Sequence, residues 1–576
     1  MLRARPVANA ACDAFFTGVA GGPVPHERNR AWDDRLRLYG HHQVAQRSSS
    51  SPDFLANPMT GSRWRAAEQP WFHIPDFDPE NGDVKMVWEL SRFEWAPAFA
   101  QAARQGQAGM LDRLNDWLDR WEEQNLGYVG PNWKCGQEAS LRVLHLALAA
   151  VILDPQPSVT VRLLDFIETH LRRVRPTLSY ALGQDNNHGT SEAAALFVGG
   201  LWLASAGRTI GRRYAHVGRR WLEERAHRLF LPDGTFSQYS VNYHRLALDT
   251  FVIAELSRRR FEQPEFSKGL RDRLCAATDW LHTLVDPLTG DAPNLGHNDG
   301  ARIAVLTDSL YRDYRPSVAR GKALFCDQQA YDDPLVTADL AWLNIEPGKR
   351  PAAPPTSRLF ADGGLVVLRQ GPAMALLRYP RFHFRPAHDD IMHVDMWLNG
   401  RSILPDGGSY SYNAGEEWIR YFMGSESHNS ISFDARGHMP KVSRFLFGAW
   451  PQGQIDVALD ETDGGVRFAC HYRDWHGVQH RRELRLSESR LTVIDQFTGV
   501  ASKATLRWRL GGGQWTADAD GMSRDTVRIG VQSSPPTAAE RTLEGYESLH
   551  YGEKSSVQVW ELDTSVPGCF ETTVSW

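Results

Sequence analysis

Three side chains in the stretch from His383 to His428 have the types and spacing to hold a divalent cation: His388, Asp406 and His428. Two imidazoles and a carboxylate form a nitrogen–oxygen donor set suited to zinc or a similar ion. Residues 392–398 alternate Met, His, Val, Asp, Met, Trp, Leu; Asn399-Gly400 is a two-residue turn signal, and Arg401 to Leu404 returns. The spacing therefore predicts a β-hairpin, which would bring His388, ahead of its first strand, and Asp406, after its second, to one end. The same residues also suit a solvated rim or satisfied buried groups, so the chemistry rests on what surrounds them.

Two further polar stretches open helices. Gln184-Asp-Asn-Asn-His-Gly-Thr-Ser-Glu192 precedes an apolar helix, and Thr190 or Ser191 could cap it; capping leaves the adjacent Asn187 and His188 unexplained. Asp233-Gly-Thr-Phe-Ser-Gln-Tyr-Ser-Val-Asn-Tyr-His244 contains an Asp-Gly turn and leads into a helix from about Tyr243. A third turn, Gly296-His-Asn-Asp-Gly300, is read as structural.

The elements that must position these residues change type along the chain. Residues 1–80 form an irregular arm rich in Arg, Pro and Trp. Apolar residues at three- and four-residue spacing then predict helices at about 84–104, 107–125, 137–153, 158–175, 190–206, 208–230, 243–259, 268–285 and 300–315. So many consecutive helices with short joints imply antiparallel pairs, stacked as a solenoid or closed as a toroid; no regular repeat is present. The predicted organisation is an arm (1–80), a helical α/α toroid domain (81–345), a Pro-rich linker (346–356) and an antiparallel β-sandwich domain (357–576). A junction of such domains is a natural place for a cleft.

Composition sets limits. With 576 residues the chain exceeds a single compact core, and 42% hydrophobic and 23% charged residues are ordinary for globular domains. The net charge of −5 gives no support to nucleic-acid binding, while a polyanionic substrate such as an acidic glycan is compatible with it, because local patches need not show in the total. The aromatic content, with 20 Trp, suits both helix packing and sugar-binding clefts; packing is the reading for most of them. The six cysteines are scattered and read as neither a disulfide framework nor a metal site. The basic N-terminus has too short an apolar run for a clear signal peptide, and the longest apolar run, 193–206, is too short to span a membrane. Cytoplasm and periplasm are both open, with a mild lean to the inside of a bacterial cell, and a homodimer is left open.

Taken in order, QDNNHGTSEAAALFVGGLW, DGTFSQYSVNYHRL, HDDIMHVDMWLNGRSILPDGGSYSYN and SHNSISFD resemble the heparinase II/III family of polysaccharide lyases and the related oligoalginate lyases. The resemblance covers roughly residues 85–435 and implies an incomplete (α/α) toroid followed by an antiparallel β-sandwich. It implies β-elimination at a uronic acid: Asn187 and His188 neutralise the carboxylate, with His188 also a base for some stereochemistries, and Tyr243 is the acid and, in some members, the base. Glu192 is implied to orient the site, Tyr239 is a competing tyrosine, and His388, Asp406 and His428 are implied to hold a structural ion, zinc by the donor set. One position departs from the pattern: where many members carry a catalytic His two residues before the first metal ligand, this chain has Pro386. Proline cannot transfer a proton, so His383 or His393 would have to substitute, or Arg385 would bind the carboxylate instead, unless Tyr243 with His188 suffices. The alternatives to a lyase are a uronyl C5-epimerase on the same scaffold and a non-catalytic protein that binds acidic glycans or assembles exopolysaccharide.

Overall fold

The computed structural model describes residues 14–45, 51–65, 67–78, 80–153, 160–462, 464–499 and 501–576. The basic N-terminal stretch through residue 13, with Cys12, lies outside them. The chain forms two compact units. The first comprises the described residues up to Leu229 together with Arg245–Thr278 and Gly300–Ala352; the second comprises Phe230–His244, Asp279–Asp299 and Ala353–Trp576.

Helices dominate the first unit. Met110–Gln124 buries Met110, Leu114, Trp117, Leu118 and Trp121, a single stripe at three- and four-residue spacing, and leaves its charges outside. Gly136–Leu153 and Asn187–Ser205 are buried nearly all round, as their unbroken apolar sequences require. Gly136–Leu153 is the one helix among the described residues long and apolar enough to cross a membrane, and 94% of it is buried inside the structure. Asn187–Ser205 packs on Thr209–Leu229 through glycines: a Cβ on Gly218 would lie 2.3 Å from Phe197 N, and one on Gly200 2.4 Å from Ala215 N. Any larger residue there would force the two helices apart.

Two expectations fail here. Residues 300–315 are not a helix apart from the start of a short one at Arg315. Ala301, Ile303, Ala304, Val305 and Leu306 are buried together, and side chains from elsewhere take the carbonyls a helix would use: Asn29 bonds Val305 O (3.2 Å), Gln101 bonds Leu306 O (2.8 Å) and Arg320 bonds Ala304 O (3.3 Å). The cysteines, read as no disulfide framework, include one bonded pair. Cys275 and Cys326 form a disulfide, with Cα atoms 5.3 Å apart across a sequence separation of 51.

The second unit is mainly antiparallel sheet. Five strands run in the order Arg401–Leu404, His393–Leu398, Ala373–Arg378, Leu365–Gln370, Arg358–Phe360, and four in the order Ile431–Phe433, Lys503–Leu510, Ser555–Ser565, Ala539–Glu547. Eight more run from Gln454–Thr462 at one edge to Thr516–Asp518 at the other. Side chains of all three sheets, among them Val366, Val394, Leu484, Leu506 and Trp508, share one apolar core.

A guanidinium sits inside that core. Arg482 and Asp495 face each other across neighbouring strands, both fully buried. Arg482 Nε donates to Asp495 Oδ1 at 2.6 Å and Nη2 to Oδ2 at 2.9 Å, while Nη1 reaches Asn429 O at 3.0 Å and also Met392 O. His480 Nε2 completes the cluster, 2.6 Å from Asp495 Oδ1. Removing one charge from such a pair strands the other without solvent. Asp495→Asn should therefore lower the unfolding free energy by about 3 kcal/mol, read by chemical denaturation; a stability within about 0.5 kcal/mol of the wild type would show that the pair is dispensable.

Candidate functional site

The hairpin forms as its sequence dictates. His393–Leu398 pairs antiparallel with Arg401–Leu404, Leu398 opposite Arg401, with a bulge at Met396/Trp397. Asn399 (φ 50°) and Gly400 (φ 73°) occupy the left-handed region that a tight hairpin turn demands. At the far end His388, Asp406 and His428, each no more than 1% exposed, present ligand atoms within 4.8 Å of one another.

The cluster is tightly held. His428 Nδ1 lies 3.0 Å from Asp406 Oδ2, and Gly408 N–H donates to Asp406 Oδ1 at 2.7 Å. His393 is buried and stands behind the carboxylate. Its Nδ1 accepts the Asn429 N–H at 2.9 Å, which places its proton on Nε2, 3.5 Å from Asp406 Oδ2. Burial pushes the Asp406 carboxyl up, but His428 and His393 more than reverse this and hold it below the usual range. Burial also drives His388 well down, helped by His297 and His428. In His428 burial is outweighed by Asp406, which holds the imidazole up. His388 Nδ1 is buried with no hydrogen-bond partner, and no Lys or Arg pairs with Asp406 among the described residues. An orphaned imidazole nitrogen beside a buried carboxylate fits a divalent cation held by these three residues.

Tyr243 lies in the first turn of Val241–Arg260, where Ser240 Oγ accepts its N–H at 3.1 Å. Ser240 Oγ in turn donates to His297 O at 2.5 Å. The Tyr243 hydroxyl is 3.0 Å from that of Tyr412. Burial, the nearby Asp299 carboxylate and Tyr412 raise its pKa well above that of free tyrosine, so it holds its proton tightly. The His297 ring stands edge-on to His388 (5.1 Å between centroids), Tyr412 (5.2 Å) and Phe445 (5.7 Å). Its Nε2 is buried without a partner, and burial, assisted by the charge of Arg385, lowers it to about 3, so the ring is neutral. His297 and Tyr412 were not singled out by sequence: His297 sits in a turn read as structural, and Tyr412 is in a run of Ser and Tyr after the hairpin.

The remaining candidates near this cluster separate. His383 is exposed, and its backbone N–H donates to Tyr239 Oη at 2.8 Å, as does that of Phe384 at 3.2 Å. The Tyr239 ring lies under the Arg378 guanidinium (4.4 Å) and against Phe382 (5.7 Å). Tyr239 thus pins the 382–384 segment. Arg385 is exposed, and Pro386 is buried beside it.

Asn187, His188 and Glu192 belong to the first unit. Asn187 and His188 form the first turn of Asn187–Ser205, and the cap is Asn186, whose side chain accepts the His188 N–H at 3.0 Å, rather than Thr190 or Ser191. The carboxyl of Glu192, one turn on, packs against the backbone of Gly136, where a Cβ would come within 2.4 Å of Oε1. Its Oε2 is buried without a partner. Burial, with a contribution from Cys135, pushes Glu192 up to about 8, so it is a neutral acid at neutral pH. Cys135 Sγ is 4.0 Å from His188 Nδ1, and burial raises its thiol.

Residues 352–559 match the family described as Heparinase II/III-like, C-terminal. No curated protein matches the sequence. Several solved structures share the fold. Heparinase III superposes with a TM-score of 0.68 at 15% identity, over 95% of this chain and 83% of that one. A mutant of the heparan sulfate lyase HepC from Pedobacter heparinus gives 0.60 at 18% identity, over 95% and 86%. The Streptomyces coelicolor A3 chondroitin AC lyase, solved with chondroitin sulphate, gives 0.53 at 14% identity, over 89% and 77%. The fold is therefore an incomplete (α/α) toroid followed by an antiparallel β-sandwich.

Two outcomes follow from the geometry. His428→Ala should abolish retention of a divalent ion measured by elemental analysis, and a chelator should lower the melting temperature of the wild type but not of the variant; equal metal content in the two proteins would remove His428 from the ligand set. For Glu192, the folded value of about 8 against 4.5 unfolded means that protonated Glu192 stabilises the fold below pH 4.5 and that this contribution is lost as pH rises through 8. The loss is on the order of 5 kcal/mol. Glu192→Gln should flatten the decline of melting temperature over that window, and an unchanged slope would place its titration elsewhere.

Proposed function

We propose that this chain is a polysaccharide lyase of the heparinase II/III type, a reading supported by the match over residues 352–559 and by the fold, and that it cleaves a uronic-acid-containing glycan, of the glycosaminoglycan class, by β-elimination. The observation that carries this reading is the partly buried Tyr243–Tyr412 hydroxyl pair, joined through His297 to the His388–Asp406–His428 cluster. In the reaction the C5–H bond breaks, the C4–O bond breaks, a C4–C5 double bond forms and the departing oxygen gains a proton.

The C5 proton is poorly acidic while the adjacent carboxylate carries full charge, so that charge must be matched. Asn187 and His188 are proposed to do this from the first turn of their helix, where the helix dipole favours an anion. Glu192 supports them as a neutral carboxyl that can donate a hydrogen bond and adds no opposing charge. Tyr243 is proposed as base and acid in turn. Its raised proton affinity makes the tyrosinate a strong base toward C5, and the same oxygen, once protonated, passes the proton to O4. Tyr412 hydrogen-bonds that oxygen and stabilises it in both states. Since Pro386 cannot carry a proton, His297, neutral and edge-on to Tyr412, and Arg385, as a carboxylate binder, are proposed to serve the site in its place. A divalent ion, zinc by its donors, would be held by His388, Asp406 and His428 and would supply positive charge while fixing the loop they span. Of the two compartments open to the chain, the Cys275–Cys326 disulfide favours the periplasm.

Pro386 supports the competing reading, a protein that binds acidic glycans without cleaving them or inverts C5 without elimination. Purified protein should be incubated with heparosan, heparan sulfate, hyaluronan, chondroitin and alginate while the ultraviolet absorbance of the 4,5-unsaturated uronate is followed. At least one substrate should give a signal that rises with pH through the neutral range, because the ionised fraction of Tyr243 rises. Tyr243→Phe and His188→Ala should each reduce it by about a hundredfold or more. No signal across the panel would overturn the lyase reading, and tight binding without it would point to the competing one.

A further inference from the structure

Near the hydroxyl pair the second unit holds a cation that no carboxylate pairs among the described residues. Arg444 follows the short strand Lys441–Ser443, in the turn that returns to Leu446–Phe447. Its Nη2 donates to Asn413 Oδ1, and its guanidinium lies over the Phe445 ring at 5.1 Å. Its Nε is buried from solvent and has no hydrogen-bond partner. Of the other enclosed guanidinia of this unit, Arg482 is paired with Asp495 and Arg507 with Glu561, while Arg509 spends its donors on Tyr421 Oη and Tyr546 O. No carboxylate lies within ion-pairing distance of Arg444 among the described residues.

This unmatched charge faces a pocket whose walls include His297, Ser411, Tyr412, Ile419 and Phe445. Tyr412 in this wall is the residue that bonds Tyr243. Phe445 packs on Tyr412 (5.4 Å) and on His297 (5.7 Å), so the aromatic wall and the guanidinium belong to one surface. A buried N–H donor left unpaired is costly, and a guanidinium fork pairs most strongly with an oxyanion. Aromatic faces beside it offer the flat apolar surface that a pyranose ring covers.

We propose that Arg444 is a specificity-determining residue for an acidic sugar: the pocket takes an oxyanion of the glycan, a carboxylate or a sulfate ester, on the Arg444 guanidinium, with the ring against Phe445 and Tyr412. The inference rests on the glycan-lyase reading for its choice of ligand, but it concerns binding and not bond cleavage. It gives this chain a basic contact on the sandwich side that none of the sequence motifs marks.

The test uses full-length Tyr243→Phe protein, which should not turn over, and calorimetric titration with three tetrasaccharides: heparosan, heparan sulfate, and heparosan whose carboxyls have been reduced to alcohols. Adding Arg444→Gln should weaken binding of the acidic ligands by about tenfold or more and leave the carboxyl-reduced ligand unchanged. Arg444→Lys should recover part of the loss, since it restores the charge without the fork. A loss confined to heparan sulfate would identify the anion as sulfate, and a loss shared by heparosan would identify it as the carboxylate. Equal affinities with and without Arg444, an equal loss for all three ligands, or no binding of any of them would overturn the proposal. A melting temperature matching the parent guards against misfolding. The two readings separate cleanly: Arg444-dependent binding with no unsaturated product from the wild type sinks the lyase and keeps the subsite. Cleavage by the wild type with an unchanged KM in Arg444→Gln does the reverse.

Discussion

The second unit depends on an arginine enclosed between its sheets. Arg482 is neutralised by Asp495 on the next strand and spends its remaining donor on the carbonyls of Met392 and Asn429. Those carbonyls lie at the start of the hairpin and just past the last ligand: Met392 precedes the strand His393–Leu398, and Asn429 follows His428. Asn429 then passes the order on. Its N–H fixes the His393 ring, its side-chain amide bonds Val394 O and Pro405 O, and its Oδ1 accepts the Arg509 N–H. A buried ion pair of this kind adds little net stability over an apolar core of equal volume. Its value here is positional, because it holds in register a loop that carries three candidate ligands.

From that anchor the chemistry follows by short steps. The cluster orients His388, His388 meets His297, His297 meets Tyr412, and Tyr412 bonds Tyr243. Each contact lies within the second unit, so the proposed acid–base residue and the candidate ion site share one scaffold even though Tyr243 comes from the helical stretch of the sequence. The proposed carboxylate binders, Asn187 and His188, are set separately by the first turn of a buried helix in the first unit. Burial keeps Glu192 neutral beside them, which suits a task that requires taking negative charge away from a substrate.

Much of this was legible in the sequence, and the exceptions have physical causes. The hairpin was readable because Asn-Gly between alternating strands admits few other conformations, and it alone predicted that His388 and Asp406 meet. The edge strand Ala539–Glu547 is hard to read from sequence because its side chains are mostly exposed and polar and do not alternate, whereas the other edge strand, Gln454–Thr462, alternates Ile455, Val457 and Leu459 and is legible. The false helix over 300–315 had helical spacing because residues 300–307 are buried on every side, a state in which periodicity carries no information. His297 and Tyr412 were passed over for a different reason. Their role comes from residues far away in the chain, and no local spacing records it. The cap residue shifted from Thr190 or Ser191 to Asn186 because the helix starts earlier than its apolar run.

The central claim is that this scaffold removes the C5 proton of a uronate and expels the C4 oxygen. Reaction with a uronate oligosaccharide in deuterated water, followed by proton NMR, tests it most directly. The account predicts a vinylic H4 resonance growing in step with new reducing ends, with the residual substrate free of deuterium at C5. Deuterium at C5 of an intact chain would mean inversion without elimination, and new reducing ends without a vinylic proton would mean hydrolysis; either result would contradict the account.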